Sequence, residues 1–119
     1  MKDSELRTGA IDLPLHIISV CDEVDTKKGR GVLVNQIVRS ATSIGANIRE
    51  AQYAHSKADF IAKLQIALKE ANETGYWLEL LFRTGYLQEE KYKFLDSACT
   101  GLRVMLIASI NTAKGNNSR

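Results

Sequence analysis

Four long stretches of helical periodicity constrain the fold of this chain most strongly. In each stretch, apolar residues recur at three- and four-residue spacing, which places them along one face of a helix. The 119 residues include one proline and eight glycines, so little interrupts long elements. The period-two alternation that is typical of strands does not extend beyond a few residues. The sequence therefore predicts an all-α fold, built as one domain over residues 1–119.

The apolar rows and the polar breaks between them set the expected bounds of the helices. The predicted helices are 12–26, 31–54, 57–84 and 88–113. The connections between them are short, and short connections place successive helices side by side in opposite directions. We therefore predict an antiparallel, up-down-up-down four-helix bundle.

Three local signals refine these bounds. Proline is tolerated only in the first turn of a helix, so Pro14 predicts a first helix that begins with Asp12 as its cap. The residues before Asp12 are then expected to be frayed or to form a separate short turn. Ser56 followed by Asp59 resembles a capping box at the start of the third helix. Gly45 within the second helix costs about 1 kcal/mol relative to alanine, which indicates that another backbone comes close.

Composition and motifs exclude several classes of protein. No stretch is long and apolar enough to cross a membrane, and the N-terminus lacks the apolar run of a secretion signal. We therefore expect a cytoplasmic protein with reduced cysteines. Cys21 and Cys99 are expected to be buried as small apolar residues, the alternative being a redox role.

Catalytic and metal-binding patterns are also missing from the sequence. His16 and His55 lie far apart, and the Glu-x-x-His pattern of di-iron bundles does not occur. Ser40, Thr42 and Ser43 have no histidine in local reach and no strand-turn-helix elbow, so we expect their hydroxyls to bond helix carbonyls. The sequence thus predicts no catalytic residue, no metal, no cofactor and no enzymatic activity.

A polar row on the second helix is the most distinctive local feature. Arg39, Ser43 and Asn47 are spaced i, i+4, i+8 and so share one side of the helix. Carboxylates on the second and third helices could face this row across the bundle or across a subunit boundary. We predict that together they form a buried structural network of ion pairs and hydrogen bonds, in which loss of one partner is strongly destabilising. Its further members are Glu50, Glu70 and Glu73.

Tyr76 and Trp77 extend this region of the third helix. Adjacent positions on a helix cannot both face one core, so one of the two rings is expected at a surface between subunits, where aromatic side chains are enriched. The alternative is that both rings serve the core of a single chain.

Charge is distributed unevenly, although the net charge is only +2. Residues 27–57 carry six basic groups and one acid, whereas residues 1–26 are acidic. This asymmetry favours either a polyanionic partner or neutralisation by acids at the end of the first helix, namely Asp22, Glu23 and Asp25. No motif that reads DNA or RNA sequence occurs. The predicted nucleic-acid-binding residues are Lys27, Lys28, Arg30, Arg49 and Lys57.

The central motif resembles a known family. The stretch Arg39-Ser-Ala-Thr-Ser-Ile-Gly-Ala-Asn-Ile-Arg-Glu50, with the segments 56–60, 63–73 and 76–78 that follow it, resembles the 23S rRNA intervening-sequence proteins, also called four-helix bundle proteins. The resemblance covers roughly residues 10–112. It implies a left-handed bundle that assembles as a ring-shaped homopentamer. It also implies similarity to the accessory protein of diversity-generating retroelements, a basic pentameric barrel that binds nucleic acid and a reverse transcriptase.

These observations lead to two functional hypotheses. The first is a non-enzymatic oligomer that binds RNA or DNA weakly and without sequence preference, as an accessory factor of rRNA-insertion or retroelement type. Its partners would be further copies of itself, a nucleic acid, and a reverse transcriptase or another protein. The second is a structural oligomer or protein-binding scaffold without nucleic-acid binding, and the low net charge favours it. A salt-dependent affinity for nucleic acid would separate the two.

Overall fold

The structure, a computed structural model, describes the backbone of residues 2–24 and 31–115 and, from residue 4 onward, their side chains. Within this part of the chain every element is an α-helix and no strand occurs. The prediction of an all-α fold with four helices is therefore confirmed. The helices are α1 (Lys2–Val24), α2 (Gly31–Gln52), α3 (Lys57–Arg83) and α4 (Glu89–Ala113).

The four helices pack around a common core. Helices α1 and α3 each pack closely against both α2 and α4, whereas no Cα atoms of the described parts of the diagonal pairs, α1 with α3 and α2 with α4, come within 8 Å of each other. This pattern is consistent with a four-helix bundle, and α2 and α3 share its most extensive contact. All four helices contribute large apolar side chains that are almost completely buried. Examples are Leu6, Ile17, Ile37, Ile44, Ile48, Leu64, Leu78, Leu95 and Leu106.

Helix α1 begins ten residues earlier than the predicted first helix. The expectation of a start at Asp12, with frayed residues before it, is wrong because the buried row of Leu13 and Ile17 continues back through Ala10 and Leu6. Pro14 consequently lies inside the helix rather than in its first turn. A proline in a helix interior costs about 3 kcal/mol, since it removes a hydrogen bond and crowds the preceding turn. Burial of the apolar residues that precede it offsets this cost.

The backbones of α1 and α2 come close to each other at Gly45. A Cβ atom at this position would collide with the carbonyl oxygen of Ala10, so only glycine lets the two backbones meet. The prediction that another backbone lies close to Gly45 is therefore confirmed. Ala10 is also the residue whose carbonyl loses its usual helical donor, because Pro14 has no N–H. The carbonyl that the proline leaves without a partner in its own helix is thus the one that faces Gly45.

The ends of α2 and α3 lie close to the predicted positions. Ser56 caps α3, and its Oγ accepts a hydrogen bond of 3.0 Å from the backbone N–H of Asp59. The predicted capping interaction is therefore confirmed. After α3 the chain reverses at Gly85, whose φ of 88° lies in the left-handed region that favours glycine. These two short turns keep α2, α3 and α4 adjacent.

The contact at Gly45 predicts a difference between two glycines. Gly45→Ala should lower the free energy of unfolding by about 1–3 kcal/mol, because the added methyl group must push α1 away from α2. Gly75→Ala is the matched control, because nothing lies within 4 Å of a Cβ at that helical position. It should raise the free energy by about 0.5–1 kcal/mol through higher helix propensity. Urea denaturation at one fixed protein concentration measures both, and equal stabilities would contradict the close contact.

Candidate interaction site

Arg39 joins α2 to two carboxylates of α3. Its Nη1 donates to Oε1 of Glu70 at 3.3 Å, and its Nη2 contacts Oε2 of Glu73. Its Nε donates to Oε1 of Gln36 at 3.2 Å within its own helix. Three of the predicted network residues therefore come together, and Gln36, which the sequence did not single out, joins them. We call these four residues the Arg39 cluster.

The Arg39 cluster lies at the surface rather than in the core. The side chain of Arg39 is 47% exposed, and those of Glu70 and Glu73 are 15% and 30% exposed. The expectation of a buried network, in which loss of one partner is strongly destabilising, is therefore wrong for the single chain. A charge left behind here stays in contact with water, and surface ion pairs contribute little.

Trp77 adds a fixed donor to the cluster. Its indole Nε1 donates to Oε2 of Glu73 at 3.0 Å, so the same carboxylate oxygen faces Trp77 and Arg39. The Trp77 hydrogen bond, followed by the hydrogen bond and charge of Arg39, lowers the pKa of Glu73. In turn, the hydrogen bond to Glu73 raises the pKa of Arg39. The cluster thus holds one ionised carboxylate between a guanidinium and an indole.

A buried hydroxyl pair lies beneath this cluster. Thr74 Oγ1 is 2.8 Å from Ser40 Oγ, and both residues are completely buried. Thr74 Oγ1 also lies 2.9 Å from the carbonyl oxygen of Glu70, and Ser40 Oγ donates to the carbonyl of Ile37. The sequence indicated that Ser40 would bond a helix carbonyl, but the contact with Thr74 was missed because the two residues are 34 positions apart.

The remaining polar residues of the predicted network lie outside the Arg39 cluster. Asn47 donates from Nδ2 to the carbonyl oxygen of Ser43 at 2.9 Å and lies 3.3 Å from its hydroxyl, both within α2. Glu50 is 3.7 Å from Nζ of Lys63 in α3. Helical spacing placed Asn47 and Ser43 on one side correctly. It could not show that their bonds would stay within the helix.

The two aromatic residues of α3 have different surroundings. Trp77 packs against the core, whereas Tyr76 is 56% exposed, and the ring centroids are 4.9 Å apart in an edge-on arrangement. Only one of the two rings therefore points outward from the single chain. The location of Tyr76 at a surface between subunits stays a prediction.

The predicted nucleic-acid-binding residues divide into two groups. Lys27, Lys28 and Arg30 lie outside the described residues, directly before α2 in the sequence. Arg49 lies in the last turn of α2, about 27 Å along the helix axis from Gly31. Lys57 is the first residue of α3. Arg49 and Lys57 are both exposed, and neither forms an ion pair with another described residue.

A groove runs over the outer face of α2, and no sequence pattern predicted it. Its volume is about 860 Å³. Small residues of α2 form its floor, namely Thr42, Gly45 and Ala46. An apolar row of α1 forms one wall, and the α2–α3 turn and the first turns of α3 form the other. Three helices contribute to this groove, so no local pattern could indicate it.

The two walls of the groove differ in character. Ile11, Leu15 and Ile18 of α1 are 47%, 58% and 39% exposed, which is unusual for a row of large aliphatic residues. On the opposite wall, Nζ of Lys63 lies 3.7 Å from Glu50 and 3.9 Å from Asp59. Arg49 lies between the walls and has no such partner among the described residues. The groove is therefore apolar on one side, and its lining carries two cations, Arg49 and Lys63, and two carboxylates, Glu50 and Asp59.

Comparison with known proteins establishes the relationship of this chain. A model of the 23S rRNA-intervening sequence protein family matches residues 2–108. The chain belongs to this family. A protein with unknown function from the S23 ribosomal protein family of Bacteroides thetaiotaomicron, known from a crystal structure at 1.70 Å resolution, is 46% identical. The two superpose with a TM-score of 0.89 over 93% of this chain and 99% of the other.

Family membership confirms the resemblance seen in the central motif and adds no chemistry. No curated protein matches the chain. Among the described residues, no three histidine, cysteine or acidic side chains are grouped so that they could hold a metal ion. None of the described helices combines the length and apolarity that crossing a membrane requires.

The lowered pKa of Glu73 predicts a dependence of stability on pH. Its carboxylate contributes stability that is fully present above the ordinary glutamate pKa of 4.5 and is lost as the pH falls through the lower folded-state value. The stability difference between the native chain and Glu73→Gln should therefore shrink as the solution is acidified below pH 4.5. Trp77→Phe keeps a ring but removes the donor, so it should reduce this dependence. Parallel stability curves for all three proteins in urea would contradict the assigned cause.

Proposed function

We propose that this intervening-sequence protein is a non-enzymatic homo-oligomer whose assembled particle binds nucleic acid weakly and without reading sequence. It would act as an accessory factor in the cytoplasm, of rRNA-insertion or retroelement type. The observation that carries the oligomeric part is an exposed apolar surface on α4. The nucleic-acid part is supported by the excess of basic groups in residues 27–57, of which Arg49 and Lys57 are exposed, and by the name of the family.

The outer face of α4 has the composition of a contact surface. Phe94, Val104 and Ile107 are 55%, 60% and 45% exposed, and the small residues Ser97 and Gly101 lie between them. From position 97 to the end of the helix the only charged residue is Arg103, whose guanidinium is occupied by Asn72 and Thr100. Contiguous exposed apolar side chains of this kind mark surfaces that another molecule covers. Self-association would bury them.

A ring is the assembly that the family resemblance implies. Each protomer would be a left-handed, up-down-up-down bundle, and this topology is supported by the short turns and by the packing of each helix on its neighbours in the chain. In a closed ring, one surface of a protomer meets a different surface of the next. The α4 face would supply one of these two surfaces, and a pentamer is the proposed stoichiometry.

The α4 face predicts the outcome of a mass measurement. Light scattering at micromolar concentration should give about five times the chain mass of 13.2 kDa. Val104→Asp should lower the mass, because an exposed apolar residue at the proposed contact becomes charged. Gln65→Asp, at an exposed position of α3, is the matched control and should leave the mass unchanged. A monomer mass for the native chain would contradict self-association, and an unchanged mass for Val104→Asp would remove α4 from the contact.

Nucleic-acid binding is the second part of the proposal. In one chain the predicted nucleic-acid-binding cations lie toward both ends of α2 in sequence, so a single protomer offers few contacts. A ring would repeat these cations around its axis, and several weak contacts on one particle act together. Such binding would not read bases, because no described element carries the pattern of a reader of base edges. Its protein partner would be a reverse transcriptase or another protein.

Salt dependence tests the nucleic-acid part. Filter binding should show retention of RNA and DNA at low salt and a steep loss at moderate salt, because each neutralised phosphate releases counterions. Charge reversal at Lys27, Lys28 and Arg30 together, or at Arg49 and Lys57 together, should weaken retention of every sequence alike. The Lys93→Glu variant on α4 controls for net charge. Absence of retention at low salt would contradict nucleic-acid binding and would favour the scaffold function.

The scaffold function is the second candidate, and one observation favours it. The α2 groove is bordered by exposed aliphatic side chains, whereas nucleic-acid surfaces depend on cations and aromatic rings. A scaffold of this kind would bind proteins through the groove whether or not the ring binds nucleic acid.

A further inference from the structure

We infer that Tyr53, in the turn between α2 and α3, is a stacking platform for an unpaired base of a single-stranded nucleic acid. The inference rests on the nucleic-acid binding proposed above and deepens it, because it names the class of strand and the residue that selects it. The site consists of the Tyr53 ring and of three residues near it that can contact the backbone of the strand. We call these four residues the α2–α3 corner: Arg49, Tyr53, His55 and Lys57.

Tyr53 is the aromatic residue that takes no part in holding the single chain together. The chain has eight phenylalanine, tyrosine and tryptophan residues, and all of them lie in the described ranges. Five pack against the core, and Tyr76 and Phe94 each contact another ring. Tyr53 does neither among the described residues, and it is 78% exposed, more than any other large apolar residue of that part of the chain. Its ring is therefore available to a ligand.

The backbone holds Tyr53 in place although its ring is exposed. The N–H of Tyr53 donates to the carbonyl of Glu50 at 3.1 Å, and the N–H of Ala54 donates to the carbonyl of Ala51 at 3.1 Å. On the other side of the turn, Ser56 caps the first turn of α3. A tyrosine on a fixed backbone loses little conformational freedom when a base stacks on it. The turn thus presents the ring in advance of binding.

Two cations flank the ring along the chain. Arg49 precedes Tyr53 by four residues, which is about one helical turn, and the two residues border the same surface. Lys57 follows Tyr53 by four residues and begins α3. Both cations are exposed, and neither forms an ion pair with another described residue. An aromatic ring among cations is the arrangement by which proteins bind single strands, since the base stacks on the ring while the phosphates contact the cations.

The charge balance around the ring suits weak binding. The corner and the residues beside it carry three cations, Arg49, Lys57 and Lys63, and two carboxylates, Glu50 and Asp59. Both carboxylates lie near the same ammonium group, at 3.7 Å and 3.9 Å from Nζ of Lys63. The excess is one positive charge, so phosphate contacts alone would give little affinity. Stacking on the ring is then the contact that distinguishes one kind of strand from another.

Stacking on Tyr53 requires an unpaired base. In a duplex each base is covered on both faces by its neighbours, and exposing a face costs the unstacking of a base step. The cations of the corner can contact the phosphates of a duplex and of a single strand alike. Every base has a flat face, so the ring selects unpaired bases without reading sequence, which agrees with the proposed function.

A protein partner, including a second copy of this chain, fits the corner less well. The residues that follow Tyr53 are Ala-His-Ser-Lys-Ala, at positions 54–58, and they offer no large apolar side chain. The exposed aliphatic row across the groove belongs to α1. The core of a protein interface is apolar and depleted of lysine, unlike this turn. A contact between copies at Tyr53 is therefore an outcome of the test.

Three fluorescein-labelled DNA probes test the inference with the full-length protein. The first is a single strand of about twelve thymidines, the second has the same sugar-phosphate backbone without bases, and the third is the duplex of the first strand with its complement. Fluorescence anisotropy at low salt should show that the native protein binds the single strand about tenfold more tightly than the abasic strand. The duplex should also bind more weakly than the single strand, because its bases are already stacked.

Substitutions of Tyr53 locate the stacking. Tyr53→Ser should bind the single strand about tenfold less tightly and the abasic strand unchanged, so that its preference for bases disappears. Tyr53→Phe keeps the ring and is the matched control, which should retain the native preference within about twofold. Tyr53→Lys replaces the ring by a cation, so it should bind all three probes more tightly than Tyr53→Ser and still show no preference for bases. Circular dichroism and light scattering should give native helix content and mass for all three variants.

Two results would overturn the inference and leave the proposed nucleic-acid binding standing. They are equal affinity of the native protein for the single strand and the abasic strand, and an unchanged preference for bases in Tyr53→Ser. A lower mass for Tyr53→Ser would instead place the ring at a contact between copies, which overturns the inference and supports self-association. Absence of binding to every probe at low salt would contradict the nucleic-acid part of the proposed function itself, and the inference would fall with it.

Discussion

The contact of Ala10 with Gly45 is the constraint on which the rest of this structure depends. It brings the backbones of α1 and α2 together where a side chain of any size would separate them. It also accommodates Pro14, because the carbonyl that loses its helical donor faces the glycine. The close approach then holds the exposed aliphatic row of α1 beside the small residues of α2. The groove is a direct result of that placement.

A second, polar interface fixes α3 on the other side of α2. Ser40 and Thr74 form a buried hydroxyl pair, and Arg39 bridges two carboxylates at the surface above it. The buried pair links the two helices, because a shift along either one would break this hydrogen bond and leave each hydroxyl only the carbonyl of its own helix. The exposed ion pairs add little stability of their own. Together they place Lys63 and Asp59 as the second wall of the groove.

The sequence predicted those features that depend on a single helix. Helical periodicity identified four helices, and Ser56 with Asp59 located the start of α3, because both signals come from neighbouring residues. The start of α1 was predicted wrongly from Pro14, by the rule that proline is tolerated only in the first turn of a helix. Tertiary packing of the residues before it determines where this helix begins. Arg39 lies beside carboxylates of α3 as predicted, whereas Asn47 forms its hydrogen bonds within α2. Neither the groove nor the pair of Ser40 and Thr74 could be predicted, since each joins residues that only packing brings together.

The most direct test of this account is hydrogen exchange along the first half of α1. Amides between Leu6 and Leu13 should be protected to a degree similar to those of α2, because the segment is helical from Lys2 onward and buries Leu6, Ala10 and Leu13. In Gly45→Ala, protection in this segment should fall more than protection in α4. Rapid exchange of residues 6–13 in the native protein, as expected for a helix that begins at Asp12, would contradict the central role of the contact between Ala10 and Gly45.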